Sequence, residues 1–437
     1  MAEAAEPLLV ILVFLLTIAS IIWRPKGINE AVPAAIGAAV LLLAGIVPLS
    51  ELGSIVNRVS GSAVTVLCTL IMAMILDNIG FFRWASINVI TYARGSGVRL
   101  FVGVICLCFL MTLFFNDYAS ILITTPIILQ IVSMLRLRIY QQLPYLISGA
   151  LIAIAASAPI GASHLSTLLT LRIAGMNLNA YAELLFIPAM VGIVSIAFML
   201  YVFYHKQLPS HISTSDGMSP ASYHIPVDWS LFRICMIIVV ATRAGFFIGS
   251  SFGVAMEWIA IVGVLLMLLV RWWKTGRGPK DLVFLAPWSI LLFAFSIYVI
   301  VDGLQGIGIT RYIALGLSAM MSSNDLSAVV VSGGLLTILS NFLNNLPAAL
   351  IGTLSLTQMN LEPQTLQLAY LANILGSDVG ALITPIGTLA SLIWLFILRQ
   401  HDVQLSWKDY MKVTVVIIPA GLLISLLSLY AWTRIIG

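Results

Sequence analysis

The sequence predicts an all-α polytopic membrane protein made of two inverted repeats of five transmembrane helices, each repeat with a re-entrant hairpin and a broken helix. Three observations carry this. The chain is 61% hydrophobic and 9% charged, with a mean hydropathy of +1.08, and roughly ten apolar runs can each cross about 30 Å of hydrocarbon. The order of those runs occurs twice. Two runs are also broken by Gly, Pro and polar residues at matching places, and irregular backbone survives in a bilayer only where it lines a cavity or meets a substrate.

In chain order, the first half (1–205) has apolar runs over 8–23, 32–49 and 62–80. A paired run, 99–135, then pivots on Asn116 and Asp117, followed by a run over 144–182 interrupted at Ser157 to Ser163 and a last one over 184–204. The start lacks the basic n-region of a secretory signal and places Glu3 and Glu6 ahead of its apolar run, which reads as a retained first helix. A polar stretch, 206–228, connects the halves. The second half (229–437) repeats the pattern with runs over 229–250, 255–273 and 284–303, a hairpin over 326–358 pivoting on Asn344 and Asn345, a broken run over 366–398, and 411–432. An offset of 228 pairs Gly80 with Gly308, Arg83 with Arg311, and Phe114-Phe115-Asn116-Asp117 with Phe342-Leu343-Asn344-Asn345. At an offset of 226, Pro159-Ile160-Gly161 falls on Pro385-Ile386-Gly387.

If each hairpin returns to its own side, each half has an odd number of crossings and the second half is inverted. Charge gives the orientation. Arg24, Lys26, Arg83, Arg94, Arg99, Arg136, Arg138, Lys206, Arg233, Arg271, Lys274, Arg277, Lys280, Arg399, Lys408 and Lys412 fall on one side, against Arg58, Arg172, Arg311 and Arg434 on the other. The positive-inside rule makes the first side cytoplasmic, so the connector is cytoplasmic and both termini are expected in the periplasm. The small net charge of +4 gives no footprint for nucleic acid.

The chemistry-bearing candidates lie at the two hairpin tips and the two breaks. Asp117 sits between FLMTLFF and YASILITTP, where an ionisable group inside hydrocarbon is a functional hypothesis by default. Its symmetry mate is the uncharged Asn345. Asp378 ends the half-helix before the second break, where it can hold a cation or bond the freed N–H groups of the next half-helix, whose dipole favours it. Asp117 and Asp378 are therefore the expected proton-coupling carboxylates. Ser163, Ser377, Thr384, Gly387 and Thr388, which flank the breaks, are expected substrate contacts, and so is His164, just beyond the first, a side chain able to titrate near neutral pH. A lone histidine is more often packing. Asp77 and Asp302 end the third run of each half, out of register, and read as interfacial.

These residues have a known pattern. IIWRPKGI near the start, LDNIGFFRWA at 76–85, FFNDYASILITTPI at 114–127, SNFLNNLPAALIG at 340–352 and GSDVGALITPIGTLASLIWLFIL at 376–398, followed by LSWKDYM, closely resemble the bacterial arsenite efflux permeases (ArsB), within an ion-transporter superfamily that includes citrate, dicarboxylate and sodium-proton carriers. The resemblance implies a multi-pass inner-membrane transporter, not an enzyme, that exports arsenite or antimonite in exchange for protons, in some organisms with a soluble ATPase subunit, and without a cofactor. It carries substrate contacts over to Asn116, Asn344 and Asn345 and an acidic role to Asp117 and Asp378. The chain departs from the family at Ser377, often Cys, at Ala381, often Pro, and at the first break, where SAPIGASHLST replaces an acid with Ser-Asn.

Arsenous acid at neutral pH is mostly As(OH)3, uncharged, so amides, hydroxyls and backbone carbonyls can hold it without a cationic cage. Sodium-proton exchange is the rival reading, since Asp117 and Asp378 serve a cation as well. A passive channel and an intramembrane enzyme with paired acids are further alternatives. The four cysteines, Cys68, Cys106, Cys108 and Cys235, lie in apolar runs without Cys-x-x-Cys or metal spacing and read as small hydrophobes, so no metal site is expected.

Overall fold

The computed structural model describes residues 2–23, 28–212 and 228–436. Arg24 and Lys26, the 213–227 portion of the connector and the side chain of Arg83 lie outside the described residues. The first half contains α1 (Ala2–Trp23), α2 (Ala31–Leu43), α3 (Leu52–Asn78), α4 (Phe81–Ala93), the hairpin α5 (Gly97–Phe114) and α6 (Asp117–Met134), the broken pair α7 (Ile139–Ala155) and α8 (Leu165–Ala174), and α9 (Leu178–Tyr204). The second contains α10 (Trp229–Ser251), α11 (Met256–Thr275), a short α12 (Lys280–Leu285), α13 (Ser289–Gly306), α14 (Ile309–Met321), the hairpin α15 (Asp325–Leu343) and α16 (Asn345–Leu356), the broken pair α17 (Pro363–Asp378) and α18 (Leu389–Gln400), and α19 (Trp407–Ile436). Among the described residues there is no strand, and 11 helices are long and apolar enough to cross a membrane.

Apart from α12, the element order of one half is that of the other. Gly80 and Gly308, matched in the sequence, each precede a short helix, α4 and α14, in the left-handed conformation, with φ of 86° and 83°. The packing adds what the sequence does not contain. α2 lies on α13 as α11 lies on α3; α8 lies on α16 as α18 lies on α6; and α9 and α19 pack on each other. Contacts that come in such reciprocal pairs are those an approximate two-fold axis between the halves produces. Because each downstream half-helix leaves its own half and packs on the other hairpin, both tips and both breaks converge.

Several boundaries differ from expectation: α2 ends at Leu43, short of 49, α3 begins at Leu52, ten residues before 62, and the first broken helix is displaced. The first broken helix, expected over 144–182, runs over 139–174 instead. Gly175 ends α8 with a φ of 65°, and Asn177 opens α9 by accepting the Ala180 N–H at 2.8 Å. A turn of three residues between two apolar helices leaves hydropathy unbroken, so the run alone cannot locate it.

The central elements are α3, α7 and α17, buried along most of their length, whereas α1, α10 and α11 present Leu12, Leu16, Ile237, Ile248, Leu265 and Leu269 outward, as lipid-facing helices do.

Candidate functional site

At the convergence sits His164. It is the extended N-cap residue of α8, with φ −135° and ψ 134°, so the chain turns there and the ring points into the space between the halves. Its Nδ1 lies 2.9 Å from Asp117 Oδ2 at the start of α6, a close polar contact outside hydrogen-bonding geometry. Its Nε2 accepts a hydrogen bond from Asn345 Nδ2 at 2.6 Å and lies 3.7 Å from Asp378 Oδ1. That donation leaves Nδ1 to carry the ring proton of the neutral tautomer toward Asp117. One imidazole thus joins hairpin one, hairpin two and the second break, and all four residues are at most 1% exposed.

The two carboxylates are held differently. Asp378 Oδ2 accepts from Thr167 Oγ1 at 2.6 Å, and Oδ1 accepts from Ser166 Oγ at 3.1 Å and Ser377 Oγ at 3.2 Å. Sequence reasoning expects this acid on the half-helix after its own break, α18. The structure places it instead at the N-terminus of α8 in the other half, because α17 packs on α8, and the positive end of the α8 dipole favours the carboxylate as α18 would have. Asp117, by contrast, has no hydrogen-bond partner at either oxygen. Ser163 Oγ, next to His164 in the chain, and Asn344 Oδ1 and Asn345 Oδ1 at tip two are buried without hydrogen-bond partners as well.

The remaining candidates build the frame. Asn116 is fully engaged: Oδ1 accepts from Ala119 N at 2.7 Å as the cap of α6, while Nδ2 donates to Thr69 Oγ1 at 2.9 Å and Val66 O at 3.2 Å on α3. Asn344 takes a φ of 72°, a conformation costly for a side chain with a Cβ, and donates Nδ2 to Ile386 O at 3.1 Å, tying tip two to break two. Thr384 donates its N–H to Asn341 Oδ1 at 2.7 Å, and Thr388 caps α18 by accepting the Ser391 N–H at 3.0 Å. At Gly387 a Cβ would stand 1.9 Å from Ala381 O, so this backbone contact of the break requires glycine.

Sequence reasoning misses Ser166, Thr167, Thr69 and Asn341. It leaves Arg243 unassigned as too isolated; this buried α10 residue donates its Nε–H to Phe114 O at 2.7 Å, at the C-terminal end of α5 just before tip one. Serine and threonine next to a break were visible as SHLST; their target, 211 residues away for Thr167, was not.

Comparison with known proteins decides the family. The family described as "Arsenical pump membrane protein" matches residues 9–433. The chain belongs to this family. An arsenical pump membrane protein of Escherichia coli (strain K12) is 30% identical over 421 residues, covering 95% of this chain and 97% of that one. A Bacillus subtilis (strain 168) relative, whose arsenical-pump description is itself provisional, is 41% identical over 435 residues, covering 96% and 98%. A crystal structure of the Alcanivorax borkumensis YdaH transporter is similar in fold, with a TM-score of 0.54 at 13% identity, over 87% of this chain and 88% of that one. Membership in a family of membrane pumps makes the chain a multi-pass transporter, as its helices require.

None of the cysteines makes a described hydrogen bond or ion pair to the His164 centre through its sulfur. Cys106 is exposed on α5, Cys68, Cys108 and Cys235 are buried on three different helices, and all four are unpaired. Cys106 and Cys108, two residues apart and so about 200° around a helix, face outward and inward. Replacing all four by Ser or Ala is expected to leave arsenite resistance of expressing cells unchanged; a folded cysteine-free protein that fails to confer resistance would make the site thiol-based.

Proposed function

We propose that the protein exports arsenite or antimonite, as the neutral trihydroxy species, across the bacterial inner membrane in exchange for protons, with Asp117, His164 and Asp378 as the coupling group. The observation that supports this is a set of buried acceptors at the tips and the first break that make no hydrogen bond: Asp117 Oδ1 and Oδ2, Asn344 Oδ1, Asn345 Oδ1 and Ser163 Oγ, with only Asp117 Oδ2 close to a donor, His164 Nδ1. An unsatisfied acceptor in a low-dielectric interior costs roughly 1–3 kcal/mol. As(OH)3 presents three O–H donors and no charge. It would satisfy several of these acceptors at once with hydrogen bonds of roughly 1 kcal/mol net each, tight enough to select and weak enough to release. Soft thiolates converging on arsenic would hold it too long.

Exchange requires that one ligand weaken the site for the other. A proton on Asp117 turns one of its two acceptor oxygens into a donor and removes the charge that the solute's hydroxyls bond, and a bound solute occupies the oxygens that the proton needs. His164, within reach of both carboxylates, lets the proton's charge be shared while Asp378 stays fixed by its hydroxyls. Asn116, Ser377, Thr384, Gly387 and Thr388 act in this reading by shaping the tips and breaks. With the basic residues on the cytoplasmic side, tip one enters from the cytoplasm and tip two from the periplasm, and the halves are inverted.

The decisive experiment is arsenite uptake into everted vesicles under an imposed pH gradient. Uptake driven by the gradient and abolished by a protonophore supports exchange; protonophore-insensitive flux would mean a channel. Proton movement evoked by sodium and not by arsenite would establish the sodium-proton reading instead. The orientation has its own check: reporter fusions are expected to place the C-terminus in the periplasm, and a cytoplasmic C-terminus would end the inverted-repeat argument.

A further inference from the structure

A recess of about 260 Å³ opens between α3, α8 and the turn joining α10 to α11. Its lining includes Thr65 and Leu168, and both lie one step from the closed site. Thr65 is one helical turn from Thr69, which receives Asn116 Nδ2; Leu168 follows Thr167, which holds Asp378. No atom of the His164 centre lines the recess, so it stops short of the site on two sides of it. Arg172, in the last turn of α8, and Glu257, in the first turn of α11, also line it, with Nη2 and Oε1 3.7 Å apart. The pair lies across Gly61 of α3, where a Cβ would stand 2.1 Å from Arg172 Nη1 and 2.5 Å from Glu257 Oε1. Glycine at this position makes the room that the ion pair occupies.

We propose that this recess is the periplasmic vestibule of the pathway and that Arg172–Glu257 is its gate. The pair joins α8, which carries the site's central residues, to α11, which faces lipid and contributes nothing to the site. Any motion that opens the centre by moving α8 against α3 and α11 must part it. A partly exposed ion pair is suited to that, because it is worth only about 1 kcal/mol or less and so opens at little cost. The vestibule's hydroxyls, from Ser62 and Thr65, suit a small neutral hydroxylated solute and water-borne protons, not a large organic anion. The sidedness and the solute rest on the function proposed above; the gate does not.

The test measures how fast a membrane-impermeant thiol reagent, added outside intact cells, modifies Thr65→Cys in a protein whose exposed cysteine is removed by Cys106→Ser. Arg172→Gln and Glu257→Gln are each expected to raise that rate about fivefold, the scale of a partly exposed ion pair. The charge swap Arg172→Glu with Glu257→Arg should return it to the starting value. Gly61→Ala should act like the neutral variants, since the groups displaced are the flexible ends of two side chains. Modification of Thr65→Cys should also block flux. Rates unaffected by all three single variants would overturn the gate, and modification from the cytoplasmic side only, or undiminished flux after modification, would overturn the vestibule. Labelling needs no flux, so a protein that labels as expected yet moves no arsenite keeps the gate and loses the substrate.

Discussion

Replacing His164 by alanine is expected to reduce proton-driven arsenite accumulation in everted vesicles by roughly 100-fold or more, with the protein still inserted and monodisperse in detergent. Removing the polar partner of a buried carboxylate leaves that group unsatisfied where water is excluded, at a cost of about 1–3 kcal/mol and more for a charged group. Here the loss is double. His164 is 2.9 Å from Asp117 and 3.7 Å from Asp378, and without the ring both carboxylates lose that neighbour. Asn345 also loses the acceptor of its 2.6 Å hydrogen bond, so tip two loses its tie to the first break. The rest of the fold does not lean on the ring, since α8 is packed on α16 and α17 along its own length. Wild-type accumulation by a well-expressed His164→Ala protein would remove the histidine from the mechanism.

That residue also marks where sequence reasoning stops. Hairpin tips and breaks are legible because Asn, Asp, Gly and Pro are expensive in a bilayer, so Asn116-Asp117 and Gly376 to Gly387 stand out against apolar flanks. The repeat is legible because Gly80 and Gly308 keep a backbone requirement that other residues meet at a cost. His164 reads as solitary because its neighbours come from other elements; Asn345 is 181 residues away. Only the crossing of α8 onto α16 and of α17 onto α8 brings them together, and such packing leaves no periodicity in the chain. Asn116 illustrates the converse. Its position at a tip suggested a substrate contact, and its side chain is consumed in capping α6 and bonding α3. Residue type and place identified the tip; the hydrogen-bond partners separate frame from site.

The carboxylates should differ in the same terms. Asp117→Asn is expected to keep arsenite exchange and downhill flux while losing accumulation driven by a pH gradient, whereas Asp378→Asn should lose both. Asp117 makes no hydrogen bond at either oxygen, and its close neighbour is His164 Nδ1 at 2.9 Å; the isosteric amide keeps one acceptor oxygen for that ring or for the solute, and what it removes is the ability to bind and release a proton. The coupling goes and the pore remains. Asp378 accepts three hydroxyls from Thr167, Ser166 and Ser377. An amide can accept at only one of its two atoms, so at least one of those donors must turn away or be left unpaired where water is excluded, at a cost of roughly 1–3 kcal/mol for each unpaired group. These donors lie in the first turn of α8 and on α17 itself, so the penalty falls on the contact between the two broken helices and hence on the geometry that any flux requires. Parallel measurements of equilibrium exchange and gradient-driven uptake separate the two effects. If Asp117→Asn accumulates arsenite normally while Asp378→Asn retains exchange but not accumulation, the coupling proton belongs to Asp378, and Asp117 becomes a fixed acceptor for the solute.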